Sequence, residues 1–237
     1  MATNIHLDLR EKAREVYDRL LATYGEKELN TDRDRMKALI AIMLSHRTNR
    51  ANERAAYDAM WSHYGSWEAV RDAPVDELTR QISAVTFPEV KAPNIQTVLT
   101  RIFEERDEAN IDFLGDLPVD EAYAWLTSLP GVGPKTASLV LLICFAMPLQ
   151  AVDTHIHRVS GRLGLFPART SAEAAHRILR DLYPPDAHVL FNFHRNMIEH
   201  GQKVCVWDVP RCHQCPLTAI CDWYQRHRAT PQQNATP

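Results

Sequence analysis

Two stretches and one cysteine cluster in this chain carry residue types suited to chemistry. Residues 129–137 read LPGVGPKTA. Gly131 and Gly133 permit backbone angles that other residues avoid, and they leave no side chain in the way of a close ligand. Pro134 suits the first position of a helix, where its missing N–H costs nothing. Unsatisfied N–H groups at such a helix start attract an anion, so Gly131, Val132 and Gly133 form a candidate phosphate-binding hairpin. An ordinary tight turn would explain the glycines but not Lys135. A lysine in the first turn opposes the positive end of the helix dipole, so its placement there calls for a role, and an amine nucleophile is the expected one.

Further on stands AVDTHIHRV, with Asp153 where a helix N-cap belongs. Capping explains Asp153 structurally and does not exclude catalysis. An amine and a carboxylate together suit reaction at a sugar carbon. The carboxylate stabilises positive charge at C1′ or moves protons, and the amine forms a Schiff base.

Cys205, Cys212, Cys215 and Cys221 form a C-x6-C-x2-C-x5-C array. In a reducing compartment such clustering points to a metal or cluster rather than to disulfides. Structural zinc sites usually pair two close ligands with a second close pair across a longer loop. Here one C-x-x-C is flanked by a single cysteine on either side, a wrapping that a larger cubane accommodates better. A [4Fe–4S] cluster is the expected cofactor. Cys144, in LVLLICFAM, reads as a packed core residue.

The elements that must position these groups are helical. Apolar residues recur at helical spacing over Ala13–Tyr24, Met36–Leu44 and Ala92–Phe103. Further helices are predicted over 51–63, 75–84, 120–128, 134–146, 154–163, 172–181, 187–200 and 216–226, with no convincing strand. Pro74, Pro88, Pro118, Pro130, Pro148 and the Pro184–Pro185 pair are expected between helices, and Asp153, Ser171 and Asp186 at N-caps. The last ten residues read as a disordered tail, 228–237.

The 237 residues suffice for a substantial core, and 45% apolar with 24% charged is the balance of an ordinary globular protein. No apolar run approaches a membrane helix, and the N-terminus lacks a signal core, so a cytoplasmic monomer is expected. The net charge of −3 does not advertise a nucleic-acid partner, so phosphate attraction must come from a local patch or from backbone N–H groups.

With LPGVGPKTA, AVDTHIHRV and the four-cysteine loop in this order, the chain resembles the endonuclease III branch of the helix-hairpin-helix DNA glycosylases. The likeness runs from about Arg35 to Cys221. It implies an all-α, two-lobed fold: a six-helix barrel over 33–147 carrying the hairpin, and an iron–sulfur domain made of 1–32 and 148–227, with the substrate nucleotide in the cleft between. It implies Lys135 as nucleophile, Asp153 as the catalytic acidic residue, base release followed by β-elimination, and double-stranded DNA with a damaged base or abasic site as partner. Oxidised pyrimidines are the expected substrates.

Three departures stand out. In LSHRTNR the position that enters the gap left by a flipped base, often a glutamine in the family, is Arg47; the alternative is a solvated helix end. In VTFPEVKA the wedge is Phe87, or else a core plug, and Pro88 and Glu89 alter its loop. The cysteine loop offers only Lys203 and Arg211 to phosphate, with Asp208 opposing them. These features keep three alternatives in view: an adenine-mismatch glycosylase, against which Lys135 argues, a mismatch-specific thymine or uracil glycosylase, and a DNA-binding module with weak catalysis.

Overall fold

The computed structural model describes residues 8–227, all of it helix and connecting loop with no strand among the described residues. The expected tail, 228–237, lies outside them. The chain divides into two compact units, Met1–Leu29 with Pro148–Pro237, and Asn30–Met147.

In the Asn30–Met147 unit, α2 (Arg35–Ser45), α3 (Arg50–Tyr64), α4 (Trp67–Asp72), α5 (Val75–Gln81), α6 (Pro88–Arg106), α7 (Val119–Thr127) and α8 (Pro134–Phe145) follow in order, with a 3-10 turn at Asp112–Asp116. Helix α8 has little polar surface: Thr136, Ala137, Ser138, Val140, Leu141, Leu142 and Cys144 are all buried. It is therefore a core helix, packed against α2 and α7. The unit has seven α-helices, against the six that the sequence leads one to expect. The extra one, α4, is too short to show a period in sequence, and it is held from outside: Ser66 caps its start, while the Gln96 amide donates to the carbonyls of Val70, Arg71 and Ala73 at its end. Pro88, expected between helices, instead opens α6 as its first residue, with Pro93 inside the same helix.

In the other unit, α1 (Leu9–Tyr24), α9 (Thr154–Leu163), α10 (Ala172–Leu182), α11 (Ala187–Lys203) and α12 (Asp222–His227) are arranged about α11, which packs on both α9 and α1. The crossing with α9 is close: a Cβ on Gly201 would stand 2.8 Å from the Cβ of His155, so only glycine fits. Two of the polar side chains buried on α11 are matched across the unit. The Asn192 carbonyl oxygen accepts from Lys27 N–H at 2.7 Å, and His194 Nδ1 meets the Ala151 carbonyl at 3.0 Å. The single helix expected over 216–226 is broken. A 3-10 turn, Thr218–Ile220, precedes α12, and Cys221 between them has extended backbone angles (φ −90°, ψ 113°). The break carries Cys221 to the cavity that the other three cysteines line.

Candidate active site and cysteine centre

The hairpin between α7 and α8 is built as its residues dictate. Gly131 has φ +75°, and a Cβ there would come 3.0 Å from Nδ2 of Asn94 on α6. Gly133 is the N-cap of α8, with open space where its Cβ would be, and Pro134 is the first helical residue. No side chain caps α8, nor α5, α6 or α7, among the described residues, whereas α1, α2, α3, α4, α9, α10 and α11 each have a side-chain cap. Its first-turn N–H groups remain available to an external acceptor. Val132 is buried, so only its backbone can take part. Lys135 is half-buried in that first turn.

Sequence reasoning missed His46. Its Nε2 lies 2.7 Å from Oγ1 of Thr136, the fully buried residue after Lys135. Burial first, then the positive charges of Lys135 and Lys91, push the His46 imidazole down to about 4, so its ring is neutral near pH 7.

The two gap-filling candidates belong to this same unit, on neighbouring turns. Arg47 is exposed with φ +54°, and Phe87 is 49% exposed with φ +58°. Phe87 is therefore not a core plug. Pro88 bars it from the right-handed helical region, and its carbonyl accepts the N–H groups of Val90 and Lys91 at the start of α6. Glu89, in the first turn, suits the positive end of that helix.

In the other unit Asp153 is the N-cap of α9 and half-buried. Its Oδ1 accepts Ile156 N–H at 2.8 Å. Two arginines one turn apart on the same helix hold the cysteine loop. Arg158 donates to the carbonyls of Cys205 (3.1 Å) and Gly201 (2.8 Å). Arg162 donates to Cys205 Sγ (3.4 Å) and to the carbonyls of Val206 (2.6 Å) and Trp207 (2.7 Å). Helix α9 thus carries Asp153 at one end and anchors the cysteine loop along its length. The pair at i, i+4 is visible in HIHRVSGRL but has no meaning until the loop is folded.

Cys205, Cys212, Cys215 and Cys221 line one small cavity, together with Val204, Pro210 and Trp223. Donors point at the sulfurs: Leu217 N–H lies 3.4 Å from Cys215 Sγ, and Arg162 serves Cys205. Burial pushes the Cys215 thiol up to about 11, and the other three cysteines add to the effect against the Leu217 hydrogen bond. Four bare thiolates are unfavourable here; a cationic group bound to all four would relieve their mutual repulsion. The donor set fits a thiolate-ligated cluster. Among the described residues no three His, Cys, Asp or Glu side chains form a group suited to a single metal ion. Cys144 is buried in α8.

The proposed phosphate contacts of the loop are already engaged. The Lys203 ammonium pairs with Glu199 at 2.6 Å, and the Arg211 guanidinium donates to the Lys203 carbonyl at 3.0 Å. The loop also exposes two apolar side chains, Trp207 and Val209, beside Asp208 and Arg211. No helix of the described residues is long and apolar enough to cross a membrane.

A family model described as HhH-GPD superfamily base excision DNA repair protein matches residues 40–185. The chain is 32% identical to an endonuclease III of Thermotoga maritima over 96% of its own length and 99% of the relative's. It is 33% identical to one of Bacillus subtilis over 77% and 78%. A solved structure of a trapped endonuclease III–DNA covalent intermediate, in an estranged-adenine complex, superposes with a TM-score of 0.79 and 26% identity, covering 94% of this chain and 100% of that one.

Proposed function

The chain belongs to the HhH-GPD superfamily of base excision DNA repair proteins, and on that basis we propose that it is a DNA glycosylase/AP lyase of the endonuclease III type, removing oxidised pyrimidines from double-stranded DNA. The observation that carries the reading is the start of α8: a glycine hairpin, first-turn N–H groups without a side-chain cap, and a lysine among them. The hairpin N–H groups take a DNA phosphate despite the net charge of −3, because oriented backbone dipoles supply the local field. The Lys135 amine forms its bond to C1′ as the bond from C1′ to the base breaks, and the base leaves with the electron pair. The amine nitrogen sheds a proton and the C1′–O4′ bond then breaks, O4′ taking up a proton as the sugar ring opens, which leaves a Schiff base. This acidifies C2′, and loss of the C2′ proton expels the 3′ phosphate by β-elimination. The Asp153 carboxylate, fixed as the N-cap of α9, stabilises positive charge on the sugar and moves protons. Arg47 and Phe87 fill the space the flipped nucleotide leaves.

The four cysteines are proposed to hold a [4Fe–4S] cluster, which supplies a covalent staple for a loop with few buried apolar residues of its own. The purified protein is expected to be brown, with broad absorbance near roughly 400 nm and about four irons per chain. Colourless protein holding one zinc would contradict this assignment.

A second reading, a mismatch-directed thymine or uracil glycosylase, is favoured by one observation: Arg47, in place of the family's usual glutamine, stands beside the exposed Phe87 turn. A panel of thymine-glycol, mismatched and abasic duplexes separates the two. Base release and nicking at thymine glycol, exceeding that at any mismatch, is the expected result. Release only from mismatches would favour the second reading, and release from none would refute both.

A further inference from the structure

The apolar stripe of α6 runs through Ile95, Val98, Leu99 and Ile102, and Lys91 falls on the same stripe, four residues before Ile95. A lysine on a core-facing stripe needs an explanation. Its side chain is buried at 8% exposure and no carboxylate pairs with it among the described residues. Each of its three N–H bonds has an acceptor: the carbonyls of Leu44 (2.6 Å) and His46 (2.8 Å), and Oγ1 of Thr48 (3.0 Å). The two carbonyls end α2, where a cation is favoured by the helix dipole. That accounts for two bonds but not for the third, which reaches past the helix into the turn bearing Arg47.

From Thr48 the connection continues. Thr48 Oγ1 also accepts Thr86 N–H at 3.1 Å, and Thr86 Oγ1 donates to the Arg47 carbonyl at 2.9 Å. The 45–48 turn and the 86–87 turn are thereby fastened to each other and to α6. Each carries one non-glycine residue in the left-handed region, Arg47 at φ +54° and Phe87 at φ +58°. Such residues are strained and persist only where surrounding bonds over-determine them. Here the fastening leaves both side chains exposed.

We propose that Lys91 is a positioning residue for recognition of the strand opposite the lesion: its ammonium, with Thr48 and Thr86, locks the two turns so that Arg47 and Phe87 are presented as one preformed probe. The proposal deepens the glycosylase reading and rests on it for the identity of the ligand. Lys91 touches no substrate. It acts by sparing the two turns the cost of ordering when they enter DNA.

The test compares borohydride trapping on an abasic site in duplex with trapping on the same site in single-stranded DNA, where there is no opposite strand to probe. In Lys91→Met the ratio of duplex to single-strand trapping is expected to fall about tenfold, the effect of one to two lost hydrogen bonds on positioning. Thr86→Val, at an exposed position that threatens the fold far less, should lower the ratio in the same direction by about threefold. Lys91→Arg should recover part of it. A fluorescent base analogue opposite the abasic site provides a readout independent of covalent chemistry: the unaltered chain quenches it by stacking, and both variants quench it less. Equal loss on both DNA forms, or an unchanged ratio with unchanged quenching in Thr86→Val, would overturn the proposal. Absence of any adduct with the unaltered chain would count against the glycosylase reading alone, since quenching still reports on the probe.

Discussion

Asp153→Asn is expected to slow base release by roughly 10²- to 10⁴-fold while leaving the fold intact. The two roles of this side chain separate cleanly in the amide. Asparagine is as good an N-cap as aspartate, so the bond from Ile156 N–H survives, and the melting temperature should move by less than about 2 °C. What is lost is negative charge and the capacity to exchange a proton. Asp153→Ala gives the contrasting result: the same loss of rate, plus about 1 kcal/mol of stability from an uncapped α9. Because α9 also holds the cysteine loop through Arg158 and Arg162, that destabilisation should show as faster bleaching of the cluster in the alanine variant and not in the asparagine variant. Full activity in Asp153→Asn, measured as single-turnover base release, would reduce Asp153 to a cap.

The second large effect is at Lys135. Lys135→Ala should abolish strand nicking, by about 10³-fold or more, while affinity for a damaged duplex stays within about threefold. The asymmetry follows from the hairpin: the phosphate is gripped by backbone N–H groups at the Gly133–Pro134 start, and those do not depend on the side chain. Removal of a cation from the positive end of α8 should also leave the variant at least as stable as the parent chain. Titration of duplex binding alongside nicking checks both arms. Equal loss of affinity and cleavage would make Lys135 a phosphate ligand instead of a nucleophile.

Much of this architecture is written locally. Asp153, Ser171 and Asp186 each cap the helix expected of them, since an N-cap bond closes within three residues. The Gly-Val-Gly-Pro hairpin is equally local. The clustering of the cysteines is visible in the sequence too, but the way they meet is not. Cys221 reaches the common cavity through a break in a stretch that reads as continuous helix, and the arginines that hold the loop are 43 to 47 positions away from their partners. The same limit hides the turn bearing Arg47. Its hydrogen bonds to Lys91 and Thr86 span 38 to 47 positions, so nothing near Arg47 announces its left-handed backbone. Lys91 does leave a trace, a charge on an apolar stripe, which a sequence reading can flag but not interpret. Helix α4 leaves none, because six residues are too few to show a period. His46 also gives no signal: its meaning depends on Thr136, 90 positions on.

The central claim is that the amine at the start of α8 bonds covalently to deoxyribose, and the most direct measurement is to find where the DNA is attached. The protein is incubated with an abasic duplex and borohydride, digested, and the nucleotide-bearing peptide sequenced by mass spectrometry. The sugar is expected on the peptide containing Lys135, and on no peptide in Lys135→Ala. Attachment at another lysine or at the N-terminal amine, or base release with no attachment at all, would contradict a nucleophilic role for Lys135.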